Sequence, residues 1–155
     1  MSRAFDRLDP ALQYQIAYGL GFRDLRPVQE LSIDAILNGH NVVILAPTAG
    51  GKTEAAFFPL LSRALEDHWS APSILYLTPI KALINNQEER LTHLTGLVGR
   101  RAFKWHGDVG ASKRKAFLHE PADVLLTTPE SLETFLLISI ASSDSGVVSS
   151  TSAGS

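Results

Sequence analysis

Cysteine is absent from the 155 residues. That excludes disulfides, thiolate metal sites and cysteine nucleophiles, and it suits a reducing compartment, so a cytoplasmic location is expected. Charge is also sparse. Asp, Glu, Lys and Arg make up 19% of the chain and the net charge is −2, against roughly 25% charged residues in an average globular domain. Binding of nucleic acid by bulk positive charge alone is therefore excluded. Hydroxyls, backbone amides and a few local cations are left for such a role. No apolar run approaches the roughly 20 residues of a membrane span, so no membrane partner is expected. The opening MSRAFDRLDP has no apolar signal-peptide core. The five histidines are scattered and form no HExxH pattern, which argues against a zinc enzyme. The dipeptide Asp-Glu does not occur at all.

What is present describes a folding chain. Hydrophobic residues make up 45%, enough for one core at this length. Asp9-Pro10 predicts an N-cap and first helical residue, opening a helix that ends near Gly19 or Gly21. Pro27 opens a second helix, Val28 to Leu37, with an apolar face of Leu31, Ile33, Ile36 and Leu37 and a stop at Asn38-Gly39. The continuous apolar run Val42-Val43-Ile44-Leu45 predicts a strand buried on both faces. Helices are then expected over Lys52 to Glu66, Lys81 to Thr95, Ser112 to His119 and Pro129 to about Ser139. Strands are expected over Ile74 to Leu77, Arg101 to Trp105 and Val124 to Thr127. Such alternation predicts an α/β fold with a mainly parallel sheet and helices on both faces. Ligands of these sheets sit at the carboxyl ends of the strands. Residues 1–140 read as one domain. Ala141 to Ser155 is serine-rich, lacks periodicity and is expected to be a disordered tail.

Ala46-Pro47-Thr48-Ala49-Gly50-Gly51-Lys52-Thr53 follows the predicted buried strand and opens the next helix. A phosphate-binding loop wants Gly, four residues, then Gly-Lys-Ser/Thr, and here alanine stands first. In such a loop Thr48, Ala49, Gly50 and Gly51 turn backbone N–H groups toward phosphate. The helix N-terminus adds partial positive charge. Lys52 faces the β- and γ-phosphates, and the Thr53 hydroxyl suits Mg²⁺. The competing reading is a chance match, made rarer by the strand before and the helix after.

The alanine-first loop ending Gly-Gly-Lys-Thr resembles motif I of superfamily 2 helicases of the DEAD/DEAH-box type. Three further segments match that family in order, and together they cover about Phe22 to Leu136. Leu25-Arg26-Pro27-Val28-Gln29 is similar to the Q motif. A carboxamide complements adenine's N7 and N6 amino group, so the resemblance implies that Gln29 contacts the base while Phe22 stacks on it. The bland alternative is a solvated glutamine in a helix's first turn. Thr78-Pro79-Ile80-Lys81-Ala82-Leu83, with Gln87 beyond, resembles motif Ia and implies Thr78, Pro79 and Lys81 on a sugar–phosphate backbone. An ordinary strand–turn–helix joint explains those residues equally well. Thr127-Thr128-Pro129-Glu130-Ser131-Leu132 resembles motif Ib and implies the same for Thr128, Pro129, Glu130 and Ser131. Two Thr-Pro corners on one rim can hold successive phosphates of a single strand, reading shape and not sequence. Trp105-His106-Gly107-Asp108 resembles the glycine-containing segment between those motifs, which in the family lies near the strand. A tryptophan closing a strand is more often core than a stacking platform. Lys113-Arg114-Lys115 reads first as a solvated helix face, with phosphate contact the minority reading. The run WHGD…PADVLLTTPESLE is most similar to the Lhr (large helicase-related) branch.

The resemblance implies a partial RecA-like P-loop domain that takes ATP and Mg²⁺, with single-stranded or unwinding duplex DNA or RNA as partner. In the family, hydrolysis depends on motif II, Asp-Glu-x-His or Asp-Glu-Ala-Asp, which this sequence lacks. The chain is thus expected to be the N-terminal part of a helicase, truncated before motif II and without the second lobe and its arginine fingers. One such finger is worth about 10³–10⁵ in rate, so ATP binding without hydrolysis or unwinding is expected. Without strands from beyond motif II, Val42 to Leu45 is expected to expose an edge and apolar faces. A non-catalytic nucleotide- or nucleic-acid-binding module is the alternative. Another P-loop enzyme, such as a nucleotide kinase, has no need of the two Thr-Pro corners or the upstream Gln29.

Overall fold

Strand β3 (Val124–Thr127) runs between β1 (Ile74–Leu77) and β2 (Ala102–Trp105) in a computed structural model that describes residues 3–147. Both pairings are parallel. Ile74 and Ala102 lie opposite Val124, and Leu77 and Trp105 lie opposite Thr127. All four residues of β3 are buried. Its side chains alternate between two cores, as a period of two requires. Val124 and Leu126 join a large cluster with Leu12, Ile16, Ile33, Phe58, Leu61 and Ile84, while Leu125 joins Trp105, Phe117 and Phe135. The helices are α1 (Pro10–Tyr14, continued by a wider turn Gln15–Gly19), α2 (Pro27–Leu37), α3 (Lys52–Glu66), α4 (Lys81–Gly96), α5 (Ala111–His119) and α6 (Pro129–Val147).

Local chemistry explains the joints. The Asp9 carboxylate caps α1 by accepting from the Ala11 and Leu12 amides, with Pro10 at the first helical position. Pro59 lies inside α3 and has no N–H for the Ala55 carbonyl. The buried Ser32 hydroxyl of α2 donates to that carbonyl at 2.6 Å, so the proline's missing bond becomes a tie between helices. The Arg100 guanidinium donates to Asp123 Oδ1 (2.6 Å) and to the carbonyls of Trp69 (2.9 Å) and Ala64 (2.7 Å). Asp123 Oδ2 accepts the Arg101 amide at 2.9 Å, which fixes the start of β2 beside that of β3.

Three expectations are corrected. Val42 to Leu45 pairs with no strand among the described residues, and Val43 and Leu45 are 84% and 85% exposed. An apolar run becomes a strand only when a neighbour supplies ladder partners, and none of β1, β2 and β3 pairs with it; the exposure of Val43 and Leu45 agrees with the expectation that this run bares apolar faces. Leu31 is exposed for a related reason. It lines a shallow apolar groove of about 240 Å³ with Val28 and the same unpaired run. Helix α6 continues to Val147 instead of stopping near Ser139, so the first part of the expected tail is helical. Serine costs only a few tenths of a kcal/mol per residue in a helix. The rest of that tail, residues 148–155, lies outside the described residues.

Arg100 offers a test of the packing. Arg100→Ala removes the donors to Asp123, Ala64 and Trp69 at a largely buried position, and a loss of about 3 kcal/mol is expected. Urea denaturation measures it. Arg100→Lys keeps the charge without the planar fork and is expected to fall between wild type and Arg100→Ala.

Candidate nucleotide and nucleic-acid site

The loop before α3 is a tight cradle. Gly50 N–H donates to Pro47 O at 2.9 Å. A Cβ on Gly50 would stand 2.7 Å from that oxygen and 2.9 Å from the Ala46 Cβ. Gly51 has φ +83°, and a Cβ there would stand 2.6 Å from Gln29 Nε2. Both positions therefore require glycine. Ala49 also sits in the left-handed region, at φ 60°. Gly51 caps α3 without a side chain, so no side-chain oxygen occupies the first-turn amides of that helix. Lys52 is exposed, and its ammonium donates to the carbonyls of Ala46 (2.7 Å) and Pro47 (3.0 Å). Thr48 is exposed, and the half-buried Thr53 hydroxyl lies 3.5 Å from Gln87 Oε1 of α4.

The segment upstream holds the cradle in place. Arg26 donates to Ala49 O at 2.5 Å. Gln29 Oε1 accepts the Arg26 amide at 2.9 Å, and Nε2 reaches Gly51 O at 3.4 Å. Gln29 is only 1% exposed. It is not a solvated side chain: both of its ends are engaged by the loop and the helix start. Phe22 is half-buried on the rim of the main core, edge-on to Phe58 with ring centroids 6.0 Å apart.

The other motifs meet on one rim, at the carboxyl ends of β1, β3 and β2. The Thr78 amide donates to Thr127 O at 3.1 Å, and the Thr127 hydroxyl donates to Trp105 O at 2.7 Å. Thr78 and Thr128 are both buried. The Thr78 hydroxyl donates to Ile80 O at 2.9 Å, and Thr128 Oγ1 accepts the Ser131 amide at 3.3 Å. These hydroxyls shape turns and caps. What the corners expose is Pro79, Lys81, Pro129 and Glu130, with Ser131 half-buried. No side chain caps α4; the Leu83 amide turns back to Ile80 O at 3.2 Å, and the Lys81 and Ala82 amides have no capping side chain.

Trp105 is 1% exposed and packs edge-on against Phe117 and Phe135, so it is core. After it, Arg114 pins the loop. Its Nε donates to Val109 O and Nη2 to Gly107 O, both at 2.7 Å, with the guanidinium 5.8 Å over the Trp105 ring. Lys113 and Lys115 stay exposed. Lys81 donates to both oxygens of Asp108, at 3.1 and 3.2 Å. An open pocket of about 680 Å³ beside this loop is lined by Asn85, Glu88, Lys104, His106, Asp108 and Lys113.

Sequence reasoning missed three arginines and a carboxylate. Arg114 reads as part of a solvated helix face, and Arg26 carries no role of its own within the Q-motif match. Glu54 is buried and pairs with Arg90 of α4. Its signal was available: Glu54, Phe58, Leu61 and Leu65 fall on one helical stripe, and a carboxylate on an apolar stripe needs a cation.

His106 is buried. Its Nδ1 accepts the Asp108 amide at 3.3 Å, so the neutral ring carries its proton on Nε2. Burial lowers its pKa; Asp108 opposes that, Lys104 and Lys81 reinforce it, and Glu88 opposes it weakly. The unfolded chain therefore binds the proton more readily. Stability is full above the ordinary histidine value of about 6.5 and falls as pH drops through it, levelling off below the lowered folded value. Urea midpoints at pH 7.5 and 5.5 are expected to differ less in His106→Gln than in wild type.

Comparison with known proteins agrees with this geometry. Residues 26–151 match the DEAD/DEAH box helicase family. A Lhr helicase/probable uracil glycosylase of Mycolicibacterium smegmatis is 38% identical over 133 residues, covering 74% of this chain and 8% of that protein. An ATP-dependent helicase Lhr-Core of Methanothermobacter thermautotrophicus is 32% identical over 133 residues, covering 75% of this chain and 15% of that protein. The solved structure of Mycobacterium smegmatis helicase Lhr bound to ssDNA and AMP-PNP superposes with a TM-score of 0.70 at 29% identity, over 84% of this chain and 18% of that one. The chain thus spans less than a fifth of the length of each of these relatives. With a RecA-like fold, the phosphate-loop cradle and the matched span, the chain belongs to the DEAD/DEAH box helicase family.

Proposed function

We propose that this chain supplies the nucleotide-binding, strand-gripping part of an ATP-dependent helicase motor, and that these 155 residues bind ATP without hydrolysing it. The carrying observation is the Gly50–Gly51 cradle, closed to any Cβ and opening onto the uncapped start of α3. That shape fits a polyphosphate: backbone amides and helix dipole face the anion. Lys52 is free of any carboxylate partner among the described residues and exchanges two neutral carbonyls for phosphate oxygen. The Thr53 oxygen suits Mg²⁺, and Gln29 and Arg26 position the loop. Bound ATP would supply the free energy of phosphoanhydride hydrolysis. A carboxylate pair to hold Mg²⁺ through water and to orient the attacking water is not in this sequence, since no Asp-Glu occurs.

The rim of Lys81, the Asp108 loop and the Pro129–Ser131 corner supports contact with the sugar–phosphate backbone of single-stranded or unwinding DNA or RNA. The solved Lhr helicase bound to ssDNA and AMP-PNP supports both ligand classes. Titration with a fluorescent ATP analogue and Mg²⁺ tests the nucleotide half. Lys52→Ala is expected to weaken binding at least about tenfold, the scale of one lost charge-assisted phosphate contact; unchanged binding puts the nucleotide elsewhere. Phosphate release with or without single-stranded oligonucleotide is expected to stay at background, and robust stimulated turnover overturns the non-hydrolytic reading.

A further inference from the structure

We infer that Asp108 is an internal stand-in for a backbone phosphate: it holds Lys81 oriented on the rim and yields it when a nucleic-acid strand arrives. The inference rests on the strand-binding reading above and adds a residue that opposes binding. Both carboxylate oxygens of Asp108 accept from the single Lys81 ammonium, at 3.1 and 3.2 Å. This is the arrangement two phosphate oxygens would adopt on the same cation.

The two partners come from different elements. Lys81 opens α4, and Asp108 sits on the loop after β2. That loop is fixed without the ion pair. Arg114 holds the carbonyls of Gly107 and Val109, His106 accepts the Asp108 amide, and Val109 is buried. Releasing Lys81 therefore needs only a side-chain rotation. The pair is also cheap to break, because the Lys81 side chain is 49% exposed and that of Asp108 72% exposed, and exposed pairs are weak. A phosphodiester that takes Lys81 gains a charge-assisted bond and sheds counterions, which the carboxylate does not. Asp108 consequently subtracts one cation from the rim at rest. It also sets a threshold against isolated weak anions.

The test titrates the full chain with oligo(dT) and oligo(rU) over a salt series, in wild type, Asp108→Asn, Asp108→Glu and Lys81→Ala. Lysine-specific labelling of Lys81 is followed in parallel without nucleic acid. Asp108→Asn is expected to label Lys81 faster and to bind both oligonucleotides about two- to fivefold tighter at low salt. Its salt slope should stay close to that of wild type, since Lys81 reaches phosphate in both complexes, whereas the slope of Lys81→Ala should flatten by about 0.7, the share of one lost cation on a single strand. Asp108→Glu is expected to restore wild-type values, and Lys81→Ala to weaken binding. Unchanged Lys81 labelling in Asp108→Asn overturns the ion pair itself. Faster labelling with equal or weaker binding, while Lys81→Ala still loses affinity, overturns the stand-in role and leaves strand binding intact. Faster labelling with no oligonucleotide bound by any variant overturns the strand-binding reading as well.

Discussion

Strand β3 takes hydrogen bonds along both edges, from β1 on one side and β2 on the other, and none of its side chains meets solvent. That placement fixes where every corner on the rim can be. Parallel strands in one register end together, so Leu77, Trp105 and Thr127 close the strands side by side and Thr78, His106 and Thr128 follow them. Two short bonds then lock the ends: the Thr78 amide to Thr127 O, and the Thr127 hydroxyl to Trp105 O. At the opposite end the Arg100–Asp123 pair does the same for the strand starts. Three segments far apart in sequence thus become one surface, with the chemistry left to the loops and helix starts that follow them.

The phosphate loop is attached to this sheet through helices. Its own upstream run, Val42 to Leu45, has no ladder to hold it. The loop is fastened instead by Arg26 and Gln29 of the α2 start, and α2 is tied to α3 by Ser32 at the carbonyl that Pro59 leaves unpaired. From α3 the contact passes to α4, where Thr53 meets Gln87 and the buried Glu54 meets Arg90. Helix α4 begins at Lys81. The lysine on the strand rim and the threonine of the phosphate loop are therefore connected through one packed pair of helices.

Much of this was legible in the residues. Helix and strand positions followed from caps, prolines and apolar period, and Asp9-Pro10, Pro27 and Pro129 each mark a helix start as written. The loop's glycines were legible because no other residue fits a cradle this tight. The misplaced features share a cause: each depends on a partner that a local pattern does not contain. Val43 and Leu45 form an apolar run, yet burial needs a neighbouring strand. Arg114 looked like one of three surface cations until β2 and α5 brought it over Trp105.

The two readings of the Thr-Pro corners are less opposed than the residues alone suggest. Thr78 and Thr128 do serve as ordinary turn and cap residues, with their hydroxyls turned inward. That use of the hydroxyls is what creates the exposed feature. Fixing the turn ahead of α4 stations Lys81 and a helix start without a capping side chain at the surface. Under the proposed strand-binding reading, recognition on such a rim would fall to amides and one lysine per corner at most, which suits a chain of net charge −2. With so few cations available, each one weighs heavily on affinity, and a carboxylate placed on Lys81 has leverage that it would lack on a strongly basic surface.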